Sequence, residues 1–181
     1  KPGQKVPFVL NVHGGPAGVF AQACIAGNQG AYPIAAFAEA GYAVLRPNPR
    51  GSSGYGTEFR MANRADWGGK DYEDLMAGVD HVIKMGVADE TKMGVMGWSY
   101  GGFMTMSLML KQPKTFKVAV AGGAVIDWKY YEVMYGERYM DTPEQNPDGG
   151  HIMKTWTKPA VREQEVGLEV TSYLPAEIDV I

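Results

Sequence analysis

The chain has 181 residues, 45% of them apolar and 20% charged, with a formal net charge of −3. This is ordinary for a soluble domain with a real core, and no apolar run suggests a membrane span. The mildly acidic balance gives no electrostatic reason to expect nucleic acid or an anionic membrane, and the single cysteine, Cys24, excludes an internal disulfide. Cys24 reads as a small core residue.

In chain order, Lys1-Pro2-Gly3-Gln4-Lys5 opens directly on the apolar run Val6 to Val12, with no basic-apolar-small leader before it. The chain is therefore expected to lack its natural start, and its location leans cytoplasmic only by default. Runs at 6–12, 42–46, 92–96 and 117–121 are nearly all apolar, as strands are when a parallel sheet is covered on both faces. Over 71–85, Leu75, Met76, Val79, Val82 and Ile83 recur at helical steps while Glu73, Asp74, Asp80 and Lys84 mostly take the other face. The pattern predicts an amphipathic helix lying on the sheet, with Asp71 and Asp74 as first-turn charges favoured by the macrodipole. A second helix is expected over 100–111, where Met104, Met106 and Met109 read as core filler. Alternating strands and helices predict an α/β layer with the active face at the strands' carboxyl ends.

Gly97-Trp98-Ser99-Tyr100-Gly101 follows one of those strands and opens a helix. A strand that turns sharply into a helix at a serine pushes the hydroxyl out of the sheet edge, where it can attack an acyl carbon. The flanking glycines leave room where a Cβ would collide, and the Tyr100 backbone N–H can serve an oxyanion. After the first strand, His13-Gly14-Gly15-Pro16 resembles the glycine-rich loop that completes an oxyanion hole in α/β-hydrolases.

With Asn48-Pro49-Arg50-Gly51-Ser52-Ser53-Gly54-Tyr55-Gly56 between them, these motifs resemble the catalytic domain of the prolyl oligopeptidase family, in its dipeptidyl-peptidase and acylaminoacyl-peptidase branch. The resemblance runs from about residue 6 to about 148. It implies an α/β-hydrolase core, a mostly parallel sheet with helices on both faces, acting on peptides with no cofactor and no metal. It implies Ser99 as nucleophile, with the backbone N–H groups of Tyr100, Gly14 and Gly15 as the oxyanion hole. Val125, Trp128, Tyr131 and Tyr135 match the helix that lines the family's pocket for proline or another small apolar side chain. Their three- and four-residue steps put them on one helical stripe, although such a stripe also suits plain core. Arg50 to Gly56 lacks the Lys-Ser/Thr of a phosphate loop and does not open on an evident helix, so it reads as a structural turn.

The triad order Ser, Asp/Glu, His cannot be completed here. His13 and His81 precede Ser99, and His151, the third of the three histidines, stands in a Gly-Gly context at an unfamiliar distance. Asp127 has no partner histidine downstream at a familiar distance, and Asp179 lacks the surroundings of the family's acid. Read this way, residues 1–148 are a hydrolase domain truncated at both ends, with no base to activate the serine and apolar sheet surface left open.

A turn-rich junction at 149–152 leads to a tail, 153–181, which periodicity alone reads as loosely structured. It resembles the precursor peptide of pyrroloquinoline quinone, through Trp156-Thr157-Lys158-Pro159 and Gly167-Leu168-Glu169-Val170-Thr171-Ser172-Tyr173. That resemblance implies that Glu169 and Tyr173 are joined carbon to carbon by a radical enzyme, with a peptide-binding protein as second partner. The tail would then be a substrate, and the two halves a fusion.

Overall fold

Nearly continuous hydrophobicity makes β1 (Val6–Val12) the central strand, with Phe8, Leu10 and Val12 facing one side and Val9 the other. The computed structural model describes residues 4–22, 32–126, 128, 131, 133–141 and 145. After β1 come α1 (Ile34–Glu39), β2 (Ala43–Leu45), α2 (Thr57–Met61), α3 (Lys70–Lys84), β3 (Ala88–Trp98), α4 (Tyr100–Lys111), β4 (Val118–Gly122) and α5 (Val133–Met140). The four described strands are parallel, in the order β2-β1-β3-β4. The direction of winding therefore reverses between β1 and β3, and the crevice of an open α/β sheet forms at the carboxyl ends of such a pair.

One face of the sheet packs Phe8, Leu10, Val12, Met93 and Val95 against Leu75 and Val79 of α3 and against Phe103, Met104 and Leu108 of α4. Burying a side chain of this size contributes about 1.5–3 kcal/mol. On the other face Val9 and Met96 pack with Ile34 of α1, with Tyr32, Phe37 and Val44 at the margin. There Val118 and Val120 of β4 stay exposed, beside a groove of about 390 Å³ that also touches Val9, Phe37 and Met96. No described helix is long and apolar enough to cross a membrane.

The parallel α/β architecture is the expected one, with differences of detail. β3 starts four residues before the anticipated run, because Ala88 pairs with Val6 ahead of a bulge although Asp89 to Lys92 are polar. The Arg50 to Gly56 run does open on a helix, the five-residue α2. The stripe expected over 125–139 is not one helix. Trp128 sits in a turn closed by Tyr131 N–H donating to the Trp128 carbonyl, a three-residue step, and α5 begins only at Val133. Met104 is core as expected, while Met106 and Met109 are half-buried. Cys24, Asp127, His151, Asp179, the junction at 149–152 and the tail at 153–181, with Glu169 and Tyr173, lie outside the described residues.

Candidate active site

Ser99 stands at the β3–α4 turn with φ 58° and ψ −118°. An L-residue in that region costs on the order of 1–3 kcal/mol, so the surroundings must enforce it. Ser99 N–H donates to the Gly122 carbonyl of β4 at 2.8 Å, and the Ser99 carbonyl accepts from Phe103 N–H at 3.0 Å. That second bond is the first of α4, which leaves the Tyr100 N–H without a partner inside the helix. The turn is possible because its glycines are in contact with neighbouring backbone. A Cβ on Gly101 would run into the Val12 carbonyl oxygen, and one on Gly97 into the Gly101 carbonyl.

β1 delivers the glycine loop to the same place. Val12 is level with Gly97 across the parallel ladder, so both strands leave the sheet together. A Cβ on Gly14 would lie 3.0 Å from the Trp98 carbonyl oxygen and 3.4 Å from the Ser99 Cβ. The loop is held by His13, buried, with Nδ1 2.9 Å from the Gly14 carbonyl and Nε2 2.9 Å from the Ser52 hydroxyl. A carbonyl can only accept, so Nδ1 carries a proton. Burial pushes the His13 pKa down, against the opposing effect of the Gly14 bond, so the ring is neutral and Nε2 accepts. The Ser52 hydroxyl, also 2.7 Å from the Pro49 carbonyl, then shares one proton between two acceptors. Because the Gly14 carbonyl is fixed on His13, the trans Gly14-Gly15 peptide turns the Gly15 N–H the opposite way.

Asp71 lies in the first turn of α3 as expected, but both Asp71 and Asp74 also carry specific hydrogen bonds. The Asp74 carboxylate takes a bidentate guanidinium pair and a backbone N–H from Arg50, at 2.7, 2.7 and 2.9 Å. Burial raises its pKa somewhat, and the Arg50 bonds more than offset this, holding it below the usual value. Asp71 is 1% exposed and accepts from the Tyr100 hydroxyl, from the N–H groups of Gly68 and Tyr72, and from Asn63. Burial drives its pKa up, partly countered by these donors. The same burial, with the adjacent Asp71 carboxylate, drives the Tyr100 phenol well above its ordinary value.

Around Tyr100 lies an aromatic cluster. Trp128 is 4.4 Å from Trp67, 5.4 Å from Phe103, 6.1 Å from Tyr100 and 5.3 Å from Tyr131, ring centre to ring centre. Of the residues expected to line a pocket, Trp128 and Tyr131 meet, and Val125 packs at the edge of the core. The Tyr135 side chain lies outside the described residues. Trp67 was not anticipated, since a lone tryptophan between Asp66 and Gly68 shows no periodicity. Neither described histidine is free to serve Ser99: His13 is engaged on both nitrogens, and His81 is exposed near the end of α3. Among the described residues no three His, Cys, Asp or Glu side chains are placed to hold a metal.

A parallel sheet that turns through a strained serine into a buried helix, next to the loop leaving the adjoining strand, defines an α/β-hydrolase core. The family model of the prolyl oligopeptidase family matches residues 30–170, and the chain belongs to that family. It is 44% identical over 123 residues to the uncharacterized peptidase YuxL of Bacillus subtilis, covering 67% of this chain and 18% of that protein. It is 31% identical over 153 residues to human dipeptidyl peptidase 8, covering 84% and 17%. Among solved structures it resembles the Pyrococcus horikoshii acylaminoacyl peptidase, with 26% identity and a TM-score of 0.70 over 81% of this chain and 24% of that one. The chain thus spans about a fifth of the length of the relatives it matches. The family match takes in the Ser99 elbow and reaches past Met153 to residue 170.

Proposed function

We propose that this chain performs serine-peptidase chemistry by acyl transfer to Ser99. The observation that supports the reading best is the positive-φ Ser99 at the β3–α4 turn, with Gly14 so near that a Cβ on it would lie 3.4 Å from the Ser99 Cβ. In this reaction the Ser99 oxygen bonds the carbonyl carbon of a peptide, its proton passes to a base, and the carbonyl oxygen becomes anionic. The amides of Tyr100, Gly14 and Gly15 are the donors for that oxygen, each typically worth about 3–4 kcal/mol of barrier. Val125, Trp128, Tyr131 and Tyr135 take a proline or small apolar side chain before the cleaved bond. The chemistry calls for no cofactor. The Ser99 proton needs an acceptor, and an elbow without one turns over far more slowly than a complete triad.

A fluorophosphonate probe tests the assignment. Slow labelling of the folded protein, abolished by Ser99→Ala, is the expected result. No labelling over long incubation, with the fold intact, removes the peptidase reading.

A second reading rests on the Gly167 to Tyr173 sequence in the proposed segment 153–181, as a precursor in which Glu169 and Tyr173 become joined. Incubation with the radical enzyme and its peptide-binding partner should remove two hydrogens from the mass. Persistence of that loss in Tyr173→Phe contradicts the assignment.

A further inference from the structure

Asp71, on α3, is a fully buried carboxylate facing no cation in its hydrogen-bond shell. Such a group is costly to bury, and the cost is offset here by four donors that an apolar residue of the same size would leave unsatisfied. What the carboxylate does that an apolar side chain cannot is hold a hydroxyl at a fixed point. One of its oxygens takes Gly68 N–H at 2.9 Å and Tyr72 N–H at 2.8 Å, which anchors it to the start of α3. The other takes the Tyr100 hydroxyl and, at 3.4 Å, Asn63 Nδ2. Tyr100 is the residue immediately after Ser99, and its N–H is the first of those at the start of α4 that have no intrahelical partner. Its ring is held edge-on by Trp67 at 5.3 Å and flanked by Phe103 at 5.5 Å, so the side chain is fixed along its length and at its tip. Lys111 Nζ donates to the Gly68 carbonyl at 2.6 Å, tying the far end of α4 to the same turn.

We propose that Asp71 is a positioning residue: through the Tyr100 side chain it fixes the Tyr100 amide that faces the developing oxyanion at Ser99. The inference rests on the reading of Ser99 as nucleophile. Asp71 touches no substrate and transfers no proton. It sets the direction of one backbone donor, where misplacement by about 1 Å is enough to cost much of the donor's effect.

The test uses the full chain and three variants, Tyr100→Phe, Asp71→Ala and Asp71→Asn, with labelling rates corrected for the folded fraction. Tyr100→Phe keeps the ring and deletes only the hydroxyl, so it guards against an Asp71→Ala that fails to fold. Both are expected to lower the rate of Ser99 phosphonylation about tenfold, and the double variant no further, because the two side chains act as one unit. Asp71→Asn should recover most of the rate, since its amide N–H can donate to the Tyr100 oxygen. Rates within twofold of the parent in both Tyr100→Phe and Asp71→Ala overturn the proposal. If the parent itself is not labelled, the peptidase reading fails, and hydrogen exchange decides on positioning alone. Loss of protection at Ser99 and Phe103 in Tyr100→Phe, with Leu10 and Val95 unchanged, supports it; unchanged protection at Ser99 and Phe103 overturns it.

Discussion

At Gly101 the Ser99 turn has no space for even a methyl group, because the Val12 carbonyl oxygen occupies the position a Cβ would take and the His13 carbonyl oxygen lies only 3.0 Å from it. Backbone atoms cannot swing aside as a flexible side chain would. Gly101→Ala should therefore lose about 3 kcal/mol or more of stability. A urea midpoint equal to the parent's would show that β1 yields. The His13 ring makes a different prediction. Its folded pKa lies below the ordinary 6.5, so above that pH neither state takes up a proton there. As the pH falls below 6.5 the unfolded chain protonates first, and stability declines towards the folded pKa. Asp71 acts in the opposite sense, its folded carboxyl being raised above 3.8, so comparison with a His13→Asn variant isolates the histidine. The variant's urea midpoint should lose this acid-side decline; an unaltered slope contradicts a neutral His13. The Ser99 turn and the glycine loop beside it were legible from sequence, since glycines at fixed offsets report a backbone constraint directly. The fate of Asp71 was not. An acid in the first turn of a helix looks the same whether water or Tyr100 and Asn63 meet it.

Among the elements, α4 is pinned between the sheet and the aromatic cluster, which explains why its apolar residues are not confined to one stripe. Met104 and Leu108 are fully buried against the strands. Leu108→Ala should cost about 2–5 kcal/mol, the spread reflecting how far the site collapses around the lost atoms. A cost well under 1 kcal/mol, read by denaturant titration, would show that α4 is not held as described. The limits of α4 and of β1 could be read from composition because both begin and end on abrupt changes of polarity. β3 could not be read in this way. Its early residues, Asp89 to Lys92, look like loop; they form the bulge between the pairs Ala88 with Val6 and Met93 with Phe8. The Val125 to Tyr139 spacing misled for a related reason: steps of three and four fit a turn followed by a helix as well as one unbroken helix.

For the molecule as a whole, the sheet is covered unequally. α3 and α4 close one face, whereas on the other β4 leaves Val118 and Val120 open, Val120 at 67% exposure. β4 is also the outer strand of the described sheet, and an unpaired strand edge beside open valines is a template for association. Val120→Lys should leave stability within about 0.5 kcal/mol of the parent. It should also weaken concentration-dependent self-association, seen by sedimentation velocity; unchanged association would place the contact elsewhere.

The level pairing of Val12 with Gly97 has one more consequence. Ser99 and the glycine loop leave separate, adjoining strands, so a slip of one rung along the ladder would move them apart by a residue's rise, about 3.3 Å. Competence at this rim is thus decided when the two central strands zip together, and it would be lost in a single step with their pairing rather than fade through a loosened intermediate.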